Sequence, residues 1–161
     1  MGDTSDKQKA LMLWEQGQVC HLAGKLEEAL VLYNRSIEIC PTAEAHTFLG
    51  WAYSAQDRVD DAIAECKKAI EVDPTFGNPY NDIGSYLMKK GEMDEAIEWL
   101  ERAKGAPRYE PRHFPYMNLG RIYAAQGLIN SAIEEFEGAL EIEPEEPRCQ
   151  AVLEQLRMAL N

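Results

Sequence analysis

Apolar residues recur along the chain at intervals of three and four, the spacing that places them on one face of an α-helix. One such stripe runs from Leu26 to Ile37, and another runs from Ile129 to Leu140. A pair of helices with these stripes cannot bury both of its faces alone, so neighbouring pairs are expected to stack. The pattern therefore predicts an all-α protein built from stacked helix pairs.

The stripes belong to units that repeat in register. A glycine marks the same place in each of four units, at Gly17, Gly50, Gly84 and Gly120. Twelve residues after each glycine stands an alanine, giving Ala29, Ala62, Ala96 and Ala132. Small residues at these places let two antiparallel helices cross at close range, while larger side chains interdigitate on either side.

With these glycines and alanines in phase, the sequence resembles the tetratricopeptide repeat (TPR) family, whose period is about 34 residues. The units are placed at residues 10–42, 43–76, 77–112 and 113–146. Proline closes three of them, at Pro41, Pro74 and Pro144. The resemblance covers nearly the whole chain and implies a right-handed α-solenoid of antiparallel helix pairs, the TPR superhelix. We expect a single domain over residues 1–161.

Turn signals agree with this division. Glycines are expected to end first helices as C-cap residues, and these positions hold Gly24, Gly91 and Gly127, with Asp57 in the second unit. Pairs of acidic residues open second helices, where they favour the positive end of the helix dipole. The third unit is two residues longer than the second. We interpret its segment 105–111 as a loop insertion, in preference to a junction that opens the superhelix or supplies a contact loop.

Residues 147–161 are predicted to form a capping helix. Pro147 suits the first turn of a helix, and Val152, Leu153 and Leu156 give it an apolar stripe. Glu154 stands where a further unit would have its glycine, so the segment does not begin a fifth unit. Such a cap covers the last hydrophobic face, which solenoids need for solubility.

Charge and composition narrow the range of partners. The net charge is −12, from 28 acidic residues against 16 Lys and Arg. This balance disfavours nucleic acid, whose recognition needs clustered basic residues, and it disfavours anionic membrane surfaces. The first residues are polar and no apolar run is long enough to span a bilayer, so neither a signal peptide nor membrane insertion is expected. Four cysteines without a C-x-x-C pair favour a reduced, cytoplasmic chain.

No pattern of catalytic or metal-binding residues emerges. The three histidines are far apart in sequence, and no Cys/His cluster has zinc spacing. A phosphate-binding loop and a G-x-S-x-G motif are both missing. Paired carboxylates on second helices are interpreted as a solvated acidic face. We therefore predict no catalytic residue, no cofactor and no metal, and a protein that is not an enzyme.

The resemblance implies that first helices line a concave groove. Residues that face away from the glycine–alanine seam are the candidates for partner binding: Trp14, Gln18, Trp51, Asn78, Asn81, Ser85, Met88, Phe114, Met117 and Arg121. The set is poor in acids and rich in aromatic and amide groups, a composition typical of protein-binding surfaces. Arg121 could take a carboxylate in bidentate fashion. Whether Trp14 and Trp51 are exposed or packed between helices stays open.

One function of the family is not expected here. TPR co-chaperones hold the C-terminal carboxylates of heat-shock chaperones with a clamp of Lys, Asn and Arg spread over three units. The matching places hold Trp14 and Gln18, then Trp51, then Asn81 and Ser85. The clamp is therefore missing from this sequence.

The resemblance thus implies an interaction module or adaptor that binds a peptide or helix of a partner protein in its groove. The alternative is a small acidic TPR chaperone of the secretion type, or a self-assembling scaffold, and a homo-oligomer is compatible with either. Fold alone does not name the partner.

Overall fold

The computed structural model describes residues 4–161, which form nine α-helices joined by short loops. In chain order these are α1 (Thr4–Leu22), α2 (Leu26–Ile39), α3 (Ala43–Ala55), α4 (Val59–Val72), α5 (Asn78–Lys89), α6 (Met93–Lys104), α7 (Phe114–Ala125), α8 (Ile129–Ile142) and α9 (Pro147–Ala159). The described residues contain no strand, only an isolated bridge between Phe76 and Arg108. The prediction of an all-α chain is confirmed.

Each unit is one pair of helices that cross at the predicted small residues. The alanines of the four seams are completely buried, at 0% exposure. At Gly120 an added Cβ would lie 2.6 Å from the ring of Phe136, and at Gly84 it would lie 2.6 Å from Leu100. Glycine is therefore required at these crossings because the partner helix fills the space that a side chain would need.

The predicted turns are confirmed. Gly24, Gly91 and Gly127 follow first helices with φ angles of 77°, 78° and 77°, and Asp57 has φ 62° in the same place. Glycine adopts this left-handed conformation without the steric cost that a Cβ brings. The first turns of α2, α4 and α6 each carry two acidic residues, as expected.

Neighbouring units stack with their first helices closer together than their second helices. Helix α2 packs on α3, α4 on α5, and α6 on α7, while α1 also contacts α3, α3 contacts α5, and α5 contacts α7. Within residues 4–161 the second helices of neighbouring units make no comparable contacts with one another. The stack therefore curves with α1, α3, α5 and α7 on its inner side.

A buried polar network links the two helices of the second unit. His46 Nδ1 lies 2.7 Å from Glu65 Oε2, and Lys68 Nζ donates to Glu65 Oε1 at 2.8 Å. Burial alone would raise the pKa of Glu65, but the hydrogen bonds from His46 and Lys68 prevail and lower it. The carboxylate is thus held ionised inside the unit, since each of its oxygens has a donor.

The insertion after α6 folds back onto the array. Gly77 N–H donates to the carbonyl of Arg108, and Arg108 N–H donates to the carbonyl of Thr75, both at 2.9 Å. The Arg108 guanidinium also pairs with Glu44 at 2.7 Å and with Asp73 at 2.6 Å. The buried ring of Tyr109 lies against Gly77. The segment is a loop between units, as interpreted, and it ties the third unit to the second.

The two ends of the stack differ. At one end α9 buries Cys149, Leu153 and Leu156 against the last helix pair. At the other end Met12 and Val19 on α1 are 58% and 69% exposed. The α7 residues in the same register, Pro115 and Ile122, are buried, because the second helix of the preceding unit packs against α7. This face is therefore exposed in the first unit, whereas in each later unit the preceding unit covers the equivalent face.

We expect that replacing Gly120 by alanine destabilises the fold. The new Cβ would meet three ring atoms of the enclosed Phe136. Overpacking of this kind costs about 1–3 kcal/mol, which outweighs the helix propensity of roughly 1 kcal/mol that alanine gains over glycine. Urea unfolding should show a lower midpoint for G120A.

The matched control for this substitution is Gly105→Ala. A Cβ at position 105 would have its nearest neighbour, the carbonyl oxygen of Arg102, at 3.7 Å, an ordinary contact. We expect G105A to keep or raise the midpoint, since alanine restricts the unfolded chain. Equal midpoints for G120A, G105A and the native chain would contradict the close crossing.

Candidate protein-binding groove

The inner sides of α1, α3, α5 and α7 form one continuous surface, which we call the inner groove. All ten residues predicted for partner binding lie on these four helices. The structure brings Asn81, Ser85, Phe114, Met117 and Arg121 together around a single recess. Trp14 lines a second recess, nearer the start of the chain.

An aromatic cluster occupies the groove between the first and second units. The ring of Phe48 lies edge-on to Trp14, with ring centroids 5.3 Å apart, and 4.4 Å from the ring of Trp51. Both tryptophans are half-buried. The two alternatives left open by the sequence therefore both hold in part, because each indole packs on Phe48 and keeps some exposed surface.

An apolar recess lies beside Trp14. Its volume is about 430 Å³, and its walls are Lys7, Ala10, Leu11, Trp14, Ser36, Cys40, Thr42 and Glu44. The indole Nε1 of Trp14 is buried and has no hydrogen-bond acceptor among the described residues. A buried donor without an acceptor costs free energy, so this end of the groove carries an unsatisfied polar group.

Farther along the groove, Trp51 is hydrogen-bonded to an acidic residue of the next unit. Its Nε1 donates to Asp82 Oδ2 at 2.5 Å. Burial raises the pKa of Asp82 from an ordinary value of 3.8 to about 7, although the Trp51 hydrogen bond acts in the opposite direction. Cys66 and Tyr86 lie close enough for its charge to act on them, and neither supplies a compensating positive charge.

At the far end of the groove three polar side chains form a hydrogen-bonded row. Arg121 Nη1 donates to Asn118 Oδ1 at 3.3 Å, and Asn118 Nδ2 donates to Asn81 Oδ1 at 3.0 Å. They border a recess of about 210 Å³, which is lined by Asn81, Ser85, Phe114, Met117, Asn118, Arg121 and Arg148. The row joins the third unit to the fourth across the floor of the groove.

The predicted residues differ in how much surface they offer. Asn81 and Met117 are 6% and 3% exposed, so they contribute little area to a contact. Asn78 is engaged with the insertion loop, since its Nδ2 donates to the carbonyl of Glu110 at 3.2 Å. Arg121 is exposed, and the remaining members are partly buried. Their role in binding stays a prediction.

Three groove residues were missed by the sequence prediction although they share one register position. Phe48, Asp82 and Asn118 each stand two residues before the seam glycine of their unit. In the third and fourth units the prediction had chosen the position one residue earlier, Asn81 and Met117. A signal was present, since an aromatic, an acid and an amide at one register position are unlike the constant apolar seam. Arg148 was missed because it belongs to the capping helix.

The groove carries fewer free acids than the outer side of the stack. Glu44 is paired with Arg108 at 2.7 Å, and Asp82 has the raised pKa described above. The second helices, in contrast, begin with solvent-exposed acidic pairs, which are Glu27 and Glu28, Asp60 and Asp61, and Asp94 and Glu95. The surface of this chain is therefore divided by charge between its two sides.

Neither a metal centre nor a membrane-crossing segment is found in the part of the chain that the structure describes. Residues 4–161 contain no group of three or more His, Cys, Asp and Glu side chains placed to hold a metal ion. No helix among them has the length and apolar character needed to cross a membrane. The four cysteines are free thiols.

Known proteins share both the sequence pattern and the architecture. Profiles of the tetratricopeptide repeat match residues 43–76, 78–108 and 115–146. The TPR repeat-containing thioredoxin TTL4 of Arabidopsis thaliana is 30% identical over 101 residues, covering 62% of this chain and 14% of that protein. The type IV pilus assembly protein PilF of Pseudomonas aeruginosa is 27% identical over 125 residues, covering 77% of this chain and 50% of that protein.

Solved structures agree on the fold. The structure of Pseudomonas aeruginosa PilF superposes with a TM-score of 0.88 at 23% identity, covering 95% of this chain and 69% of that one. YrrB, described as a TPR protein with an unusual peptide-binding site, superposes with a TM-score of 0.67 at 22% identity, covering 89% of this chain and 73% of that one. At these identities the likeness concerns the fold.

The chain belongs to the tetratricopeptide repeat family, and its architecture is the TPR solenoid. This family and its structural neighbours consist mostly of adaptors without catalytic activity, so the fold defines a protein-interaction module. The chain spans half or less of the length of the two curated relatives named above.

We expect Asp82 to make the stability of the protein depend on pH near neutrality. Since its pKa is raised to about 7, the native state keeps a proton that the unfolded chain releases above its ordinary pKa of 3.8. Stability therefore falls as pH rises between these two values. The substitution D82N keeps an acceptor for Trp51 and removes the charge. It should remove about 3 kcal/mol of the change in stability between pH 5 and pH 8.

The measurement is urea unfolding of the native chain and D82N between about pH 5 and pH 8. The exposed acid Asp94, substituted as D94N, is the control and should keep the native pH profile. Parallel profiles for the native chain and D82N would show that Asp82 does not titrate in this range.

Proposed function

We propose that the inner groove binds an extended or helical peptide segment of a partner protein. The observation that carries the proposal is the pair of recesses on one surface, an apolar one beside Trp14 and a polar one beside Arg121. Gln18 and Trp51 add partly exposed side chains on the same inner helices, and Ser85 lines the polar recess. A surface with an apolar anchor site and a few oriented polar groups is what peptide recognition needs.

The chemistry of each recess suggests which part of a peptide it takes. The recess beside Trp14 suits a large apolar side chain, because aromatic walls contribute most of the binding free energy in protein interfaces. The partly exposed amide of Gln18 and hydroxyl of Ser85 suit the main chain of the same peptide.

The comparisons support a peptide ligand without naming it. YrrB, which shares the fold, is described as having an unusual peptide-binding site. The side chains required for the heat-shock carboxylate clamp are absent from the matching places here, which hold Trp14, Gln18 and Trp51. We therefore propose a partner other than a heat-shock chaperone tail.

A peptide selection followed by charge substitution tests the proposal. Peptides are selected from a random displayed library on the native chain, and their affinities are then measured on the variant Q18E/S85E. Both positions lie in the groove and make no internal hydrogen bond in the described structure. We expect the variant to bind the selected peptides at least about tenfold more weakly, since buried unpaired charge is costly in an interface.

The matched control adds the same two charges outside the groove. Ala64 on α4 and Asn130 on α8 are solvent-exposed positions on second helices, and A64E/N130E should keep the native affinity. Circular dichroism and thermal unfolding establish that both variants fold. Equal affinities for the two variants, or loss confined to A64E/N130E, would place peptide binding outside the groove.

A further inference from the structure

The guanidinium of Arg121 is an uncompensated positive charge in a strongly acidic chain. The net charge is −12, yet no carboxylate of residues 4–161 forms an ion pair with Arg121. The neighbouring Arg148 differs, because its Nε and Nη2 donate to both oxygens of Glu146, at 2.8 and 3.2 Å. Within residues 4–161, the amide of Asn118 is the only hydrogen-bond acceptor that contacts Arg121.

Arg121 also fixes the direction of the hydrogen-bonded row. A guanidinium has donors only, so Asn118 must turn its oxygen toward Arg121 and its Nδ2 toward Asn81. Asn81 must then present its own oxygen to Asn118. This order follows from hydrogen-bond chemistry, because each amide must present its oxygen to the donor before it in the row.

The consequence is a recess in which the amide hydrogens left unused by the row are donors for a ligand, while each amide oxygen already accepts one hydrogen bond within the row. The oxygens of Asn81 and Asn118 are both used within the row, while Asn81 Nδ2 makes no internal hydrogen bond in the described structure. Arg121 keeps the donors that Asn118 does not use, and the hydroxyl of Ser85 lies on the same wall. Such a set matches a group that has acceptors alone.

Charges around the recess favour an anion. The hydrogen bonds from Arg148 lower the pKa of Glu146 to about 2, so that carboxylate stays ionised and neutralises Arg148. The nearest acid on α5 is Asp82, which is bonded to Trp51 toward the other side of the helix. Lys89, one turn beyond Ser85 on α5, is exposed, but its Nζ donates to Ser54 Oγ at 3.3 Å and it does not line the recess. Arg121 is therefore the charge of the recess lining that has no ion-pair partner within residues 4–161, and the local balance is positive.

We propose that the recess formed by Asn81, Ser85, Asn118 and Arg121 binds a carboxylate group of the partner peptide. Arg121 supplies the charge and a planar pair of N–H donors, which carboxylates accept in bidentate fashion. Asn81 supplies a further donor from the neighbouring unit. The proposal rests on the proposed groove function only in that a peptide delivers the carboxylate. That group is either a C-terminal carboxylate or an Asp or Glu side chain.

Small probes test the recess without any partner peptide. N-acetyl-alanine offers a C-terminal carboxylate, N-acetyl-glutamate N-methylamide offers a side-chain carboxylate, and N-acetyl-alaninamide is the neutral control. The side-chain signals of Asn81, Asn118 and Arg121 are followed in ¹H–¹⁵N spectra during titration. We expect saturable shifts of these three side chains with at least one carboxylate probe and none with the amide.

The variant R121Q should weaken carboxylate binding by about tenfold or more, because a charge-assisted hydrogen bond is replaced by a neutral one. The control is R35Q. Arg35 is an exposed arginine on α2 that has no ion pair within the described residues, and its loss should leave the titration unchanged. Equal loss in R35Q, or shifts with neither carboxylate, would overturn the carboxylate site, and the stronger of the two probes identifies the source.

This outcome is separable from that of the peptide selection. If selected peptides bind the groove but neither carboxylate probe shifts the row, the carboxylate site is wrong and the groove function stands. If the probes bind and no peptide depends on Gln18 and Ser85, the recess binds carboxylates but the groove function fails. Inorganic phosphate, titrated alongside, overturns the assignment if it alone perturbs Arg121.

Discussion

The close crossing of two helices within each unit is the contact on which the rest of this structure depends. A seam glycine such as Gly120 leaves no room for a Cβ against Phe136, and the completely buried alanines opposite keep the helices at that distance. Because small residues form the seam within each unit, the inner side of the first helix lies outside the seam. Those inner positions are free to carry aromatic, amide and charged groups.

Two hydrogen bonds on the inner side join residues of neighbouring units. Trp51 is bonded to Asp82, and Asn118 is bonded to Asn81, in each case across a boundary between units. Buried polar atoms need such partners, so the groove is part of what holds adjacent units in register. Because these polar side chains join neighbouring units, the shape of the ligand surface depends on how the units stack.

The sequence predicted the helices, the caps and the seam because each depends on a local pattern that recurs four times. Gly24 and Asp57, for example, occupy the same turn and adopt the same positive φ. The groove was harder to predict, because Phe48, Asp82 and Asn118 share a register position but not a chemistry. The insertion loop could not be placed either, since the pairing of Arg108 with Glu44 joins residues 64 positions apart. Contacts between residues so far apart in the sequence leave no regular residue spacing from which they could be predicted.

The hydrogen bonds in the row from Arg121 to Asn81 all run in one direction, and this determines how a substitution changes the ligand preference of the surface. The three side chains behave as a relay in which the residue at one end decides whether the other end donates or accepts. An acceptor in place of Arg121 would reverse both asparagine amides by simple rotation, with no change in backbone or volume. A preference for anions could then become a preference for cations in one mutational step. A solenoid can thus keep its scaffold intact while the polarity of its ligand surface drifts.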